Sequence, residues 1–278
     1  MKAGVNLWTV YGWSIGEPAS PDVLRALAGM GSGAVELVLD EAANTAQSLL
    51  ERSEELRSLG ADLGLAFPSI ASALFWRYNL ASKDQQMRDR GVEVIRQGCD
   101  VARRYGADVF LVVAGQQEPR TEYRRTYATA VASLRQAASY AAEQGVVIGV
   151  ENVGTNFLCS AGEFAQFIAD VDHPSVQAYL DIGNGMAIGP GYAENWVTGL
   201  RGHIAAVHVK DYDAALKAYV CCGEGDLGWP DAIAALNDVG FEGYLMVETP
   251  PKAGRGQPSR EAGLLAAQTS LNWLSNFI

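Results

Sequence analysis

Eight short apolar runs recur along the chain, each followed by a longer amphipathic segment. They are Ala3–Leu7, Ala34–Val38, Asp62–Phe67, Asp108–Val113, Val146–Val150, Gln177–Leu180, Ile204–Val209 and Tyr244–Val247. Helical patterns fall between them at Pro21–Met30, Thr45–Leu59, Gln85–Tyr105, Tyr123–Gln144, Ala161–Ala169, Pro230–Val239 and Arg260–Phe277. Pro21 and Pro230 stand where a first helical turn begins, a place that tolerates a residue without an amide donor. Gly60, Gly106, Gly145 and Gly240 stand where a helix stop is expected before the next strand. Runs such as Val146–Val150 are apolar without alternation, the pattern of strands covered on both faces. Eight β→α units with no succession of hairpins predict one α/β domain over residues 1–278, a closed (β/α)₈ TIM barrel. A doubly wound sheet would place a glycine-rich phosphate loop after its first strand, and Leu7–Gly12 contains none.

Charge narrows the partners. Thirty-two acidic and 21 basic side chains give a net charge of −11, which repels a phosphate backbone and argues against nucleic acid. Cys99, Cys159, Cys221 and Cys222 form no CxxC pair, so idle reduced thiols are expected rather than a disulfide framework. No stretch reaches the roughly 18 apolar residues of a membrane span, and residues 1–8 lack the apolar core of a signal peptide. A cytoplasmic protein without membrane contact is the expectation.

In a barrel of this kind, chemistry is built at the C-terminal ends of the strands. The residues closing the four late strands are Glu151, Asp181, His208 and Glu248, about one βα unit apart and therefore on one rim. Three carboxylates and an imidazole make a donor set suited to Mn²⁺, Mg²⁺, Co²⁺ or Zn²⁺. Without a cation, three clustered carboxylates would raise one another's pKa. Any one strand-end acid can instead be a helix cap, and His208 a satisfied core histidine. Lys210-Asp211 reads equally as ordinary loop charge. The shared barrel phase of the four residues is what favours a metal site.

The segments Tyr179–Asn184, Gly202–Asp211, Gly223-Glu224-Gly225 and Val247-Glu248 resemble the xylose-isomerase-like sugar epimerase/isomerase superfamily. Within it the chain is most similar to the L-xylulose/L-ribulose 5-phosphate 3-epimerase branch. The likeness includes Arg77 through Arg90 and Glu151-Asn152, and is strongest from residue 146 to 250. It implies one divalent ion, Mn²⁺ foremost, on Glu151, Asp181, His208 and Glu248, with the two glutamates as the acid/base pair. Free-ketose 3-epimerases of the tagatose and psicose type usually carry histidine three positions after the metal aspartate and arginine six after the metal histidine. This chain has Asn184 and Ala214 there, a departure that argues against that type. Asn184 also reads as a turn residue between two glycines.

The expected chemistry is proton abstraction beside a ketone, giving an enediolate, with reprotonation on the other face inverting C3. Glu36 is expected to bind a substrate hydroxyl, and Asn184, Lys210, Trp8 and Trp13 to contact substrate. Phe75, Trp76 and Trp229 are further aromatic candidates in the rim loops. Lys210, Lys217, Lys252 and Arg255 are the cations near loops seven and eight, where barrels often hold phosphate. The substrate is thus a small ketose or ketose phosphate, and the resemblance adds a homo-oligomer, a dimer. An aldose–ketose isomerase or an inosose dehydratase-like lyase would begin with the same proton abstraction. A non-catalytic sugar-binding barrel is the third reading. An endonuclease-IV-like repair barrel needs three zinc ions and a histidine-rich rim, whereas this acidic chain has only His173, His203 and His208.

Overall fold

The computed structural model describes residues 1–12, 17–189, 192–249 and 259–278. Trp13, Lys252 and Arg255 lie outside the described residues. The chain runs β1 (Lys2–Asn6), α1 (Leu7–Tyr11), α2 (Pro21–Gly29), β2 (Val35–Leu39), α3 (Ala46–Glu51), α4 (Ser53–Leu63) and β3 (Ser69–Ser72). A 3₁₀ turn at Leu74–Trp76 leads to α5 (Gln85–Tyr105), β4 (Val109–Val112), α6 (Tyr123–Gln144), β5 (Val147–Glu151) and α7 (Ala161–Val171). Then come β6 (Val176–Asp181), α8 (Ile182–Ile188), α9 (Ala193–Gly199), β7 (Ile204–Val209), β8 (Asp211–Asp213) and β9 (Ala218–Val220). The chain finishes with α10 (Trp229–Asp238), β10 (Tyr244–Val247) and α11 (Arg260–Leu274). Eight parallel strands close a barrel in the order β1-β10-β7-β6-β5-β4-β3-β2, and β8 and β9 form a separate antiparallel hairpin. No described helix is long and apolar enough to cross a membrane.

Strand composition explains the closure. Val5, Leu37, Ile70, Leu111, Ile148, Leu180, Val207 and Val247, one from each barrel strand, are all fully buried. Each such side chain contributes about 1.5–3 kcal/mol relative to exposure. Gly106 and Gly145 end α5 and α6 in the left-handed conformation, as the sequence pattern requires.

The third strand lies elsewhere than expected. Asp62 and Leu63 belong to α4, which stops at the left-handed Gly64 (φ 69°), and the strand is Ser69–Ser72. Gly60 is therefore not a stop. It sits inside α4 because a Cβ there would come 2.6 Å from the Phe67 ring. The helix expected at Thr45–Leu59 is likewise broken at Arg52 into α3 and α4.

Candidate metal and active site

The site begins with strand register. Asp181 of β6 stands beside His208 of β7, which stands beside Met246 of β10, while Glu151 of β5 stands beside Tyr179 of β6. Adjacent strand ends thus bring Glu151, Asp181, His208 and Glu248 together. One ligand atom from each lies within 4.8 Å of the other three, and all four residues are buried. Three oxygens and an imidazole nitrogen at such spacing can hold a divalent metal ion.

Asp181 does two jobs with its two oxygens. Oδ1 accepts the Asn184 amide at 2.7 Å and caps α8, while Oδ2 receives the Lys210 ammonium. The helix-cap reading of this strand-end acid therefore holds, and it leaves Asp181 within the cluster that could hold a metal ion. Asn184 is not a turn residue, since it lies in the first turn of α8 with its amide Nδ2 3.5 Å from Glu151 Oε1. Gly183 and Gly185 flank it for space: a Cβ would strike Lys210 at 2.6 Å in one case and the Trp196 indole at 2.7 Å in the other.

Lys210 is buried, not solvated loop charge, and its ammonium bridges Asp181 and Glu248 and lies 4.9 Å from the centre of the Tyr219 ring. Burial alone would depress its pKa, but Asp181, Glu248 and Glu151 outweigh that and drive it up. Burial pushes the Glu248 carboxyl up to about 8, with Lys210 and His208 only partly offsetting it. Glu151 is raised for the same reason, against the opposing pull of His208 and Lys210. For His208, burial favours the neutral ring, yet Glu36 and Glu248 prevail and hold its pKa well above the ordinary value.

His208 has a different carboxylate on each nitrogen. Nδ1 is 3.2 Å from Glu151 Oε1 and 3.8 Å from Glu248 Oε2, whereas Nε2 is 2.6 Å from Glu36 Oε2. Glu36 is the second residue of β2 and is fully buried beneath the rim, outside the lining of the cavity. It is thus not placed to bind a substrate hydroxyl.

Above these groups opens a cavity of about 530 Å³, lined in part by Trp8, Trp76, Leu111, Val113, Val153 and Tyr219 with Glu151, Asn184, Lys210 and Glu248. Trp8 is 4% exposed and Trp76 49% exposed. Phe75 and Trp229 are buried in the core instead, outside this lining.

Asp211 shapes the loop that carries Tyr219. Its Oδ1 accepts the Tyr212 and Leu227 amides, and its Oδ2 accepts the Gly223 amide and the Trp229 indole N–H, at 2.8–3.0 Å. Sequence reasoning did not single out Tyr179, Asn152 or Tyr219 as functional. Tyr179 had a usable signal, because two residues before Asp181 on a strand is the same face.

The sequence matches the family described as xylose isomerase-like TIM barrel over residues 24–277. The L-ribulose-5-phosphate 3-epimerase UlaE of Shigella flexneri is 28% identical over 232 residues, covering 81% of this chain and 80% of that protein. A D-psicose 3-epimerase with D-tagatose from Clostridium cellulolyticum H10 superposes with a TM-score of 0.81 at 16% identity, covering 100% of this chain and 99% of that one. An L-ribulose 3-epimerase structure gives a TM-score of 0.79 at 19% identity, covering 99% and 93%. At such identities the structural likeness shows a shared fold. The barrel, the in-phase strand-end residues and the match over most of the chain lead to one assignment: this protein belongs to the xylose isomerase-like TIM barrel family.

Proposed function

We propose that the protein is an isomerase-class enzyme, an epimerase that inverts C3 of a ketose or ketose phosphate through an enediolate. Glu151 and Glu248 are its acid/base pair. The observation that carries this reading is that both glutamates line the cavity while sharing one tight cluster with Asp181 and His208. The named epimerases among the relatives support it. A divalent ion on Glu151, Asp181, His208 and Glu248, Mn²⁺ in our assignment, would supply Lewis-acid polarisation of the ketone.

The residues do the rest. Glu151 takes the C3 proton from one face of the substrate. Glu248 acts as the general acid and delivers a proton to the other face. The Lys210 ammonium against Glu248 favours the carboxylate left behind. Trp8, Trp76, Leu111 and Val153 wall the cavity and keep water from the enediolate. In the reverse direction the two glutamates exchange roles.

The test is turnover of free and phosphorylated ketoses in deuterated water with Mn²⁺. Deuterium at C3 of the product epimer is expected. Label at C1 or C2 with formation of an aldose would replace the epimerase by an isomerase. The proposed assembly is a homodimer, because Trp76 and Tyr192, 49% and 69% exposed, stand on connections that follow barrel strands and a second copy would cover them. Light scattering from a particle of 29.7 kDa would remove the dimer.

A further inference from the structure

Glu36 has every oxygen committed. Oε2 accepts from His208 Nε2 at 2.6 Å and from Asn6 Nδ2, its neighbour on β1. Oε1 accepts from the Tyr179 hydroxyl at 2.7 Å, and that hydroxyl lies 3.2 Å from Ser69 Oγ. The Tyr179 ring also lies against the imidazole of His208, with centroids 4.4 Å apart. Asn6, Glu36, Ser69, Tyr179 and His208 are each at most 1% exposed, so nothing in this set exchanges with water. A buried carboxylate persists only when its hydrogen bonds are met, and here three strands of the barrel, β1, β6 and β7, meet them.

The direction of those bonds matters for His208. An imidazole that gives its Nε2–H to Glu36 keeps that proton on the far side and leaves Nδ1 toward Glu151 and Glu248. We propose that Glu36 is a positioning residue: its carboxylate, itself fixed by Tyr179 and Asn6, sets the ring angle and tautomer of His208 so that Nδ1 is the ligating atom. This rests on the metal reading of the site. Carboxylate partners of a ligating histidine raise its basicity and hold its ring, and losing one costs about 10–100-fold in metal affinity. Asn6 extends the arrangement, because its Oδ1 accepts the Trp8 amide at 2.6 Å and so ties a cavity wall to the same carboxylate.

The experiment is titration of the metal-stripped full chain with Mn²⁺, followed by electron paramagnetic resonance, with Co²⁺ absorption spectra in parallel. Glu36→Gln is isosteric and still offers an oxygen to His208 while the charge is lost. Its Mn²⁺ Kd should rise about 10–100-fold and its Co²⁺ bands should shift. Tyr179→Phe leaves the charge but frees one oxygen, and about a threefold or larger rise is expected. Ser133→Ala is the control for general destabilisation, since Ser133 bonds the Leu80 carbonyl far from His208. Its Kd should not move. Wild-type Kd and Co²⁺ spectra in both Glu36→Gln and Tyr179→Phe would overturn the positioning role. If Glu36→Gln does not fold, Tyr179→Phe decides alone on the same criterion. No Mn²⁺ binding by the wild-type chain would instead sink the metal reading, and this inference with it.

Discussion

Asn152 grips the main chain of Asp181 with both ends of its carboxamide, accepting the Asp181 amide at 2.7 Å and donating to the Asp181 carbonyl at 2.9 Å. The residue is 1% exposed, so this bridge from the end of β5 to the end of β6 is dry. Asn152→Ala removes two buried hydrogen bonds and should destabilise the fold by about 2 kcal/mol. Because Asp181 loses its tether, Mn²⁺ binding should weaken as well. Chemical denaturation and metal titration on one sample test both, and an unchanged midpoint would refute the first claim.

The acid/base assignment predicts a particular failure. Glu151→Gln and Glu248→Gln should each fold yet lose epimerisation by at least about 10²-fold, since an amide cannot accept the proton. One of the two variants should still exchange the C3 hydrogen of one epimer with solvent, because its remaining carboxylate can remove and return that proton on one face. Nuclear magnetic resonance in deuterated water reads this directly. Near wild-type turnover in either variant would take that glutamate out of the chemistry.

Metal affinity should depend on pH with a definite sign. The Glu248 carboxyl, raised to about 8 by burial, is largely protonated at neutral pH and must release its proton as an ion enters. Affinity therefore falls as pH drops through about 8, by about tenfold per unit for this proton alone. Titrations across this range check the slope, and a flat profile would contradict it.

Asp211 offers a test of the loop. Asp211→Ala strands three amides and an indole N–H that it now satisfies, and should destabilise the protein by about 3 kcal/mol or more. Limited proteolysis should then cut between β8 and β9 faster than it does in wild type. Gly225→Ala should have a related effect, because its Cβ would meet Asp211 Oδ1 at 2.5 Å and the Tyr212 carbonyl oxygen at 2.6 Å.

The barrel was legible in the sequence because buried parallel strands are short and continuously apolar, and long helices such as Gln85–Tyr105 keep their period over several turns. The third strand escaped because the Ser69–Ser72 run contains two serines, while Leu63, Leu65 and Phe67 nearby imitate a strand. The helices Leu7–Tyr11 and Ile182–Ile188 are too short for a period to register. The four strand-end residues showed themselves through their common phase. The role of Glu36 did not, because a carboxylate on β2 meets a histidine on β7 only after the barrel has closed. The tyrosine that holds it was hidden for the same reason.

The candidate acid/base and ligating groups sit on or just beyond barrel strands, whereas several cavity walls come from connecting segments: Trp76 from the turn after β3, Tyr219 from the β8–β9 hairpin. This separation makes the protein a natural scaffold for laboratory evolution. Libraries confined to those two segments can be screened for altered sugar preference while the reacting groups keep their barrel register. Randomising strand interiors around Glu36 or Tyr179 should instead yield mostly inactive clones, however conservative the substitutions look on paper.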